Sequence, residues 1–396
     1  MEYQFSNKVL PLKPSAIREI FKVLEDPTVI SLAGGNPDPQ SFPVQDMSDI
    51  AADLFQNHAA EALQYGITEG YRPLRKAVSD RLREKFQTGS DFDELIITSG
   101  GQQGIELCCK ALCNEGDTVL CETPSFIGGL NAFKSYNVNL VGVPLEEDGI
   151  DLTRLEQALK TEKNVRLLYL IPTFQNPAGI CTSLAKRRAV YELCKQYGVI
   201  IIEDNPYGEL RFAGEDLPTI KSMDTEGIVV YCGSFSKILS AGMRIGFVCA
   251  PAPVITKMVV CKQISDVHTN QFFQMLVYQY MTTRDLDGHI REVRSIYRRK
   301  CGAMLKALDE MMDPRVTYTR PEGGLFLWCT LPEGTDLAAF TQAALREKVA
   351  IVPGTAFMPS ESDPTTSFRL NYSLPTEQQI HDGIAVLSRV AKEFLK

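Results

Sequence analysis

The sequence is poor in the residues that metal sites and disulfides require. Its four histidines are scattered along the chain without the spacing of metal ligands. The eleven cysteines are an odd number and form no C-x-x-C pair, and several, such as Cys194, Cys232 and Cys249, lie within apolar runs. This pattern indicates buried free thiols in the reducing cytoplasm. We therefore expect neither a metal nor a disulfide framework.

The chain also lacks long apolar runs and basic clusters. No stretch approaches the roughly 18 apolar residues of a membrane span, and the N-terminal segment MEYQFSNKVLPLKPSAIREI has no signal-peptide core. The 41 Lys and Arg residues are outnumbered by 49 Asp and Glu residues, which gives a net charge of −8. This balance argues against nucleic acid or an anionic membrane as a partner. The composition therefore predicts a soluble, cytoplasmic protein.

The length of 396 residues predicts more than one domain. From about residue 72 to 250, wholly apolar strands alternate with helical patterns, which predicts a mostly parallel sheet between two helix layers (a three-layer α/β/α domain). After about residue 275, a long charged helix precedes strands of alternating polarity, which indicates a smaller α+β domain. We expect an N-terminal arm and part of the small domain in residues 1–48, the large domain in 49–275 and the small C-terminal domain in 276–396.

Polar or aromatic residues follow the predicted strands at their carboxyl ends, where open α/β sheets bind ligands. These residues are Ser99-Gly100-Gly101-Gln102, Phe126, Asn176, Asp204, Tyr207, Ser234, Ser236, Lys237 and Arg244. Each has a structural explanation when taken singly. The glycine turn fits a helix N-cap, the asparagine and the aspartate fit turns, the phenylalanine fits the core and the arginine fits a surface ion pair.

One ligand accounts for all of these residues together. Backbone N–H groups at a helix start, serine hydroxyls and an arginine suit a phosphate dianion. A carboxylate, an amide and a phenol suit a heterocycle with a basic nitrogen and a phenolic oxygen, and an aromatic side chain can cover its face. A lysine can form a Schiff base with an aldehyde. These residue types predict pyridoxal phosphate as the cofactor.

The chain resembles the class I (fold-type I) pyridoxal-phosphate aminotransferases over nearly its whole length, and is most similar to the subgroup of 2-aminoadipate, kynurenine and aromatic aminotransferases. The segments that carry the resemblance are SLAGGNPDPQSFP, YGITEGYRPLR, SGGQQG, FQNPAG, EDNPYGELRF, GSFSKILSAGMRIGF and FRLNYS. The resemblance implies a ping-pong aldimine/ketimine transamination. The donor would be 2-aminoadipate, glutamate or an aromatic or large aliphatic L-amino acid, and the acceptor a 2-oxo acid such as 2-oxoglutarate.

The resemblance also implies the role of each residue at the cofactor. Lys237 would form the Schiff base and move the proton, Asp204 would keep the ring nitrogen protonated, and Tyr207 with Asn176 would bind the phenolic oxygen. The groups expected at the phosphate are Gly100, Gly101, Gln102, Ser234, Ser236 and Arg244. Phe126 would stack on the ring, where the family more often has a tyrosine.

Further residues are implied at the substrate and at a subunit interface. Arg369 would bind the α-carboxylate, with Asn176 beside it and Gly35 closing over it, although a lone strand arginine is usually only solvated. Arg18 lies at the edge of an apolar helical stripe in PSAIREIFKVLEDP and would either meet a distal carboxylate or be solvated. Tyr65 matches a tyrosine that reaches the phosphate of the neighbouring subunit, which implies a homodimer with shared active sites.

Three other functions compete with this one. A pyridoxal-phosphate lyase or decarboxylase on the same fold would use the same Lys237 and Asp204, so that only product analysis separates it. A sensor domain of a transcription regulator would carry an added DNA-binding domain, for which 396 residues leave no room. A nucleotide-binding enzyme is disfavoured because the sequence contains no G-x-x-x-x-G-K-[ST] and GGQQG lacks the G-x-G-x-x-G spacing.

Overall fold

The computed structural model describes residues 3–6, 8–10, 26–360 and 362–395. In chain order, the strands are β1 (Ile30–Ser31), β2 (Asp93–Thr98), β3 (Thr118–Thr123), β4 (Asn139–Glu146), β5 (Gly149–Ile150), β6 (Val165–Leu170), β7 (Ile200–Asp204), β8 (Val229–Ser234), β9 (Gly246–Pro251), β10 (Thr317–Tyr318), β11 (Phe326–Thr330), β12 (Val349–Ala350), β13 (Val352–Pro353) and β14 (Ser367–Asn371). The α-helices are α1 (Val44–Asn57), α2 (Ala59–Ala62), α3 (Arg72–Phe86), α4 (Gly101–Leu112), α5 (Ile127–Lys134), α6 (Leu152–Thr161), α7 (Leu184–Tyr197), α8 (Ala252–Ser265), α9 (Gln271–Thr283), α10 (Leu286–Met311), α11 (Leu337–Arg346) and α12 (Glu377–Phe394).

An eight-stranded sheet forms the centre of the molecule, in the order β2-β9-β8-β7-β6-β3-β4-β5. The strands from β8 to β4 run parallel, whereas β9 is antiparallel to both of its neighbours and β5 is antiparallel to β4. The prediction of a mostly parallel sheet in an α/β fold is confirmed. The reversal at β9 has a simple cause, because the segment 235–245 that joins it to β8 contains no crossover helix, and parallel neighbours need one.

Helices cover both faces of this sheet, as the alternation along β6 shows. Leu167 and Tyr169 belong to the apolar cluster shared with α4, whereas Leu168 and Leu170 belong to the cluster shared with α6 and α7. Because side chains of a strand alternate between faces, a strand that contributes to two cores must be buried on both sides. This explains the uninterrupted apolar sequence of the central strands.

A second, smaller sheet lies towards the C-terminus. It is antiparallel, with the order β10-β11-β14-β13, and a separate parallel pair joins β1 to β12. Residues 30–31 therefore pair with residues 349–350, close to the other end of the chain. The predicted domain boundaries at residues 48 and 275 stay predictions. Within the described residues, no helix combines the length and the apolar character that a bilayer crossing demands.

Candidate active site

The carboxyl ends of the parallel strands open onto one cavity of about 640 Å³. Parallel strands end at the same edge of a sheet, so the loops that follow β3, β6, β7 and β8 converge there. Most of the predicted site residues line this cavity, namely Gly35, Gly101, Gln102, Phe126, Asn176, Asp204, Tyr207, Ser234, Ser236, Lys237, Arg244 and Arg369. Residues that lie more than 300 positions apart in the sequence, Gly35 and Arg369, thus share one wall.

Lys237 lies inside the cavity, just beyond the end of β8. Its Nζ donates a hydrogen bond to the carbonyl oxygen of Gly35 at 2.7 Å. Removal from bulk water lowers the pKa of the Lys237 amine to about 8, and the positive charges of Arg369 and Arg244 act in the same direction. About one-tenth of the amine is therefore uncharged at pH 7, far more than for an ordinary lysine, and the uncharged form is the one that attacks an aldehyde.

Asp204 ends β7 and is buried beneath the same cavity. Its Oδ2 accepts a hydrogen bond from the Tyr169 hydroxyl at 2.7 Å, and its Oδ1 accepts none from the described residues. Burial raises the pKa of this carboxyl to about 7, against the opposing effect of the Tyr169 hydrogen bond. A buried carboxyl with one free oxygen and a pKa near neutrality can share a proton with a basic ring nitrogen, so this residue fits pyridoxal phosphate.

Arg369 is a buried cation without a matching anion among the described residues. Only 2% of its surface is exposed. One guanidinium nitrogen donates to Asn176 Oδ1 at 2.8 Å and another to the Ala33 carbonyl at 2.7 Å, while Nε finds no partner in the part of the chain that the structure describes. Burial lowers the pKa of the guanidinium to about 10, but it stays charged at neutral pH. Because burying an unpaired charge is costly, the arrangement favours an anionic ligand.

The phenol of Tyr207 and the amide of Asn176 extend this network to the middle of the cavity. Asn176 Nδ2 donates to the Tyr207 hydroxyl oxygen at 3.3 Å. Burial raises the pKa of Tyr207 above its ordinary value, so its hydroxyl is protonated at physiological pH. Together the two groups offer hydrogen-bond donors that would suit the phenolic oxygen of the cofactor.

Ser234, Ser236 and Arg244 form a cluster of hydrogen-bond donors beside the start of α4. The Ser234 hydroxyl donates to Ser236 Oγ at 2.9 Å, and Arg244 Nη1 lies 3.4 Å from the same oxygen. Gly100 precedes the helix with φ +83°, and a Cβ at this position would lie 2.1 Å from Arg244 Nη2. The positive φ favours glycine here, whereas the contact is with the end of a flexible side chain that can move aside. Helix N–H groups, two hydroxyls and a guanidinium match a phosphate dianion.

Tyr65 and Arg18 have a different outcome from the residues that line the cavity. Tyr65 does not line it, since it is 83% exposed, and its ring packs edge-on against His268 at 5.7 Å. Its predicted role in a neighbouring subunit stays a prediction. Phe126 lines the cavity immediately before α5, and its role in stacking, like the roles of the other lining residues, stays a prediction. Arg18 lies outside the described residues.

Sequence reasoning missed two residues at the site. Tyr169 holds Asp204, and Phe326 packs its ring 4.2 Å from the Arg369 guanidinium carbon and 5.8 Å from the ring of Tyr207. Both lie in apolar stretches that look like ordinary core. For Tyr169 a signal was present, because a tyrosine inside a wholly buried strand needs a hydrogen-bond partner for its hydroxyl.

A buried amine, a buried carboxyl and a cluster of donors suited to a phosphate are the groups that a pyridoxal-phosphate enzyme requires, and the three-layer architecture that presents them is fold type I. The chain belongs to the family described as "Aminotransferase class I and II", whose model matches residues 27–387. It is a pyridoxal-phosphate-dependent aminotransferase. The predicted family, cofactor and type of activity are thereby confirmed.

The chain is similar over nearly its whole length to several aminotransferases. The chain is 43% identical to aromatic-amino-acid aminotransferase 1 of Thermococcus litoralis, over 100% of this chain and 95% of the relative. It is 38% identical to 2-aminoadipate transaminase of Thermus thermophilus, over 97% and 95%. The crystal structure of kynurenine aminotransferase from Pyrococcus horikoshii, in complex with PMP, matches with a TM-score of 0.96 at 40% identity, over 99% of this chain and 98% of that one.

Proposed function

We propose that this aminotransferase accepts both acidic and large apolar L-amino acids, with 2-aminoadipate or glutamate in the first class and aromatic or large aliphatic amino acids in the second. The acceptor is a 2-oxo acid such as 2-oxoglutarate. The observation that carries the assignment is the unpaired Arg369 guanidinium in the same cavity as Lys237, since it suits the α-carboxylate that all these substrates share. One relative is named an aromatic-amino-acid aminotransferase and another a 2-aminoadipate transaminase, which supports a substrate range that includes both classes.

The chemistry is divided between the cofactor and the residues around it. When bound, pyridoxal phosphate supplies an aldehyde and an electron-accepting ring. Lys237 would hold the cofactor at its aldehyde, and its amine, once free, would serve as the base for the proton at the substrate Cα. Its lowered pKa suits this role, because a base works best with a pKa near the working pH. Asp204 would hold the proton at the ring nitrogen, and Tyr207 with Asn176 would bind the phenolic oxygen.

The remaining residues position the two ligands. Arg244 binds the phosphate together with Ser234, Ser236, Gly100, Gly101 and Gln102, and Phe126 covers the ring face. The substrate carboxylate lies between Arg369 and the backbone at Gly35, whose carbonyl faces Lys237. Arg18 contributes to the recognition of a distal carboxylate.

We further propose a cytoplasmic homodimer in which Tyr65 completes the site of the other subunit. Tyr65 lies on an exposed surface that includes Leu63 at 70% and Ile67 at 56% exposure. Exposed apolar side chains grouped in this way are typical of a protein interface. All eleven cysteines are free, which supports a reducing compartment.

A half-reaction screen tests the proposal. The cofactor-loaded enzyme is mixed with each L-amino acid in turn, and the loss of the cofactor's visible absorption is followed together with the organic product. We expect glutamate, 2-aminoadipate, phenylalanine and leucine each to yield the matching 2-oxo acid. Release of carbon dioxide, or of an eliminated side chain, would instead assign the enzyme as a decarboxylase or a lyase. Lys237→Ala serves as the inactive control.

A further inference from the structure

Tyr169 contacts the site, but the sequence analysis predicts no role for it. It lies in β6 with no exposed surface, and it pairs with Ile202 of β7. Asp204 follows Ile202 by two positions and thus lies on the same face of the sheet. Diagonal neighbours of this kind are within reach of long side chains. The Tyr169 hydroxyl accordingly donates to Asp204 Oδ2 at 2.7 Å.

The ring of Tyr169 is fixed by its neighbours in α5. Gly129 approaches so closely that a Cβ there would lie 2.8 Å from two carbons of the tyrosine ring. Phe133 packs edge-on against the other part of the ring, with centroids 5.3 Å apart. A ring held in this way cannot turn its hydroxyl elsewhere without displacing the helix. The hydrogen bond to Asp204 is therefore a fixed property of the fold.

The surroundings of Asp204 make this hydrogen bond important. Ionisable groups from several elements face the carboxyl, and they are Tyr169 in β6, Glu122 in β3, Cys232 in β8, Tyr207 after β7 and, across the cavity, Lys237. Among the described residues, only Tyr169 donates a hydrogen bond to Asp204. Glu122 is fully buried nearby, and its charged form would repel that of Asp204.

We propose that Tyr169 is a positioning residue for the cofactor, because its hydroxyl orients Asp204 and keeps the shared proton on the ring nitrogen rather than on the carboxylate. A hydrogen bond donated to a carboxylate favours its charged form. Without the Tyr169 hydroxyl, the Asp204 carboxylate becomes a stronger base than the ring nitrogen. The proton would then lie on the carboxylate oxygen instead of the nitrogen. The inference rests on the proposed role of Asp204 at that nitrogen.

The test uses two measurements that do not depend on turnover. The apo-protein is titrated with pyridoxal phosphate to obtain its affinity, and the nitrogen-15 resonance of ring-labelled cofactor reports whether the bound nitrogen is protonated. In Tyr169→Phe, we expect the cofactor to stay bound with a lower affinity, because Asp204 loses the donor that orients it. The resonance should shift towards that of the unprotonated ring.

Tyr191→Phe is the matched control. Tyr191 is also buried, and its hydroxyl also lies at a carboxylate, 3.4 Å from Asp224 Oδ1, but neither residue lines the cavity. This variant should leave both the affinity and the resonance unchanged. If Tyr169→Phe behaves like the control, Tyr169 has no role at the cofactor. If the unaltered protein itself fails to bind pyridoxal phosphate, the proposed cofactor site is wrong. Failure of the Tyr169 proposal and failure of the proposed function are thus distinguished.

A second substitution covers the case in which Tyr169→Phe does not fold. A tyrosine fluorinated next to the hydroxyl, introduced at position 169, is a stronger hydrogen-bond donor of nearly unchanged size. It should raise the pH at which the ring-nitrogen resonance changes to that of the unprotonated ring, because a stronger donor favours the charged carboxylate. An unchanged pH titration of this resonance with the fluorinated residue would overturn the proposal.

Discussion

Replacing Arg369 with lysine should weaken substrate binding while leaving the cofactor in place. Lysine keeps the positive charge but loses the planar fork that can bind a carboxylate through two nitrogens. In the structure two guanidinium nitrogens already bond to Asn176 and Ala33, which fixes the orientation of the group that would face the substrate. Arg369→Lys loses that orientation together with one hydrogen bond to a charged partner. Such a bond contributes about 1.5–3 kcal/mol, or about 10- to 150-fold in kcat/KM.

The assay is the half-reaction rate as a function of amino-acid concentration, measured for one acidic and one aromatic substrate. Both should show the same fall in kcat/KM, because the α-carboxylate is common to them, and the affinity for pyridoxal phosphate should stay within a factor of about two. Arg187→Lys is the control, since Arg187 is equally buried but its hydrogen bonds to described residues go to Thr173 and to backbone carbonyls outside the cavity. An unchanged kcat/KM in Arg369→Lys would refute the assignment of the carboxylate site.

The remaining predictions concern the cofactor, the dimer and substrate choice. Lys237→Ala should abolish the visible absorption of the resting enzyme. In the unaltered apo-protein, the rate of cofactor attachment should rise with pH up to about 8, where the Lys237 amine loses its proton. Borohydride labelling of another lysine would contradict both predictions. Asp204→Asn should retain cofactor but lose most proton abstraction, and near-normal turnover would refute the role. Tyr65→Ala and Lys237→Ala, each inactive alone, should regain activity when their subunits exchange, whereas proven exchange without recovery would place Tyr65 in its own chain's site. Arg18→Ala should weaken acidic donors by about 1.5–3 kcal/mol and spare apolar ones, so equal effects would exclude it from specificity.

The site could be predicted from the sequence where a polar residue interrupts an apolar strand. Asp204 and Lys237 stand at such interruptions, and the sheet brings them to one edge, as the pattern predicts. Tyr169 could not be separated from the core by pattern alone, because it is surrounded by apolar residues and its partner lies on another strand. The direction of β9 was not predicted, although the connection from β8 is too short for the crossover helix that parallel neighbours need. The role of Tyr65 depends on a second subunit, which a single sequence does not place.

The pairing of β1 with β12 joins residues 30–31 to residues 349–350, so it closes almost the entire chain into a loop. Contacts between such distant positions are costly in entropy and slow to form. The segment after β1 carries Gly35 to the cavity, whereas Asp204 and Lys237 reach it through neighbouring strands of the central sheet. We therefore expect the two halves of the site to mature at different times during refolding. The pocket for the cofactor would form first, and the pocket for the substrate carboxylate would be completed when the ends of the chain meet.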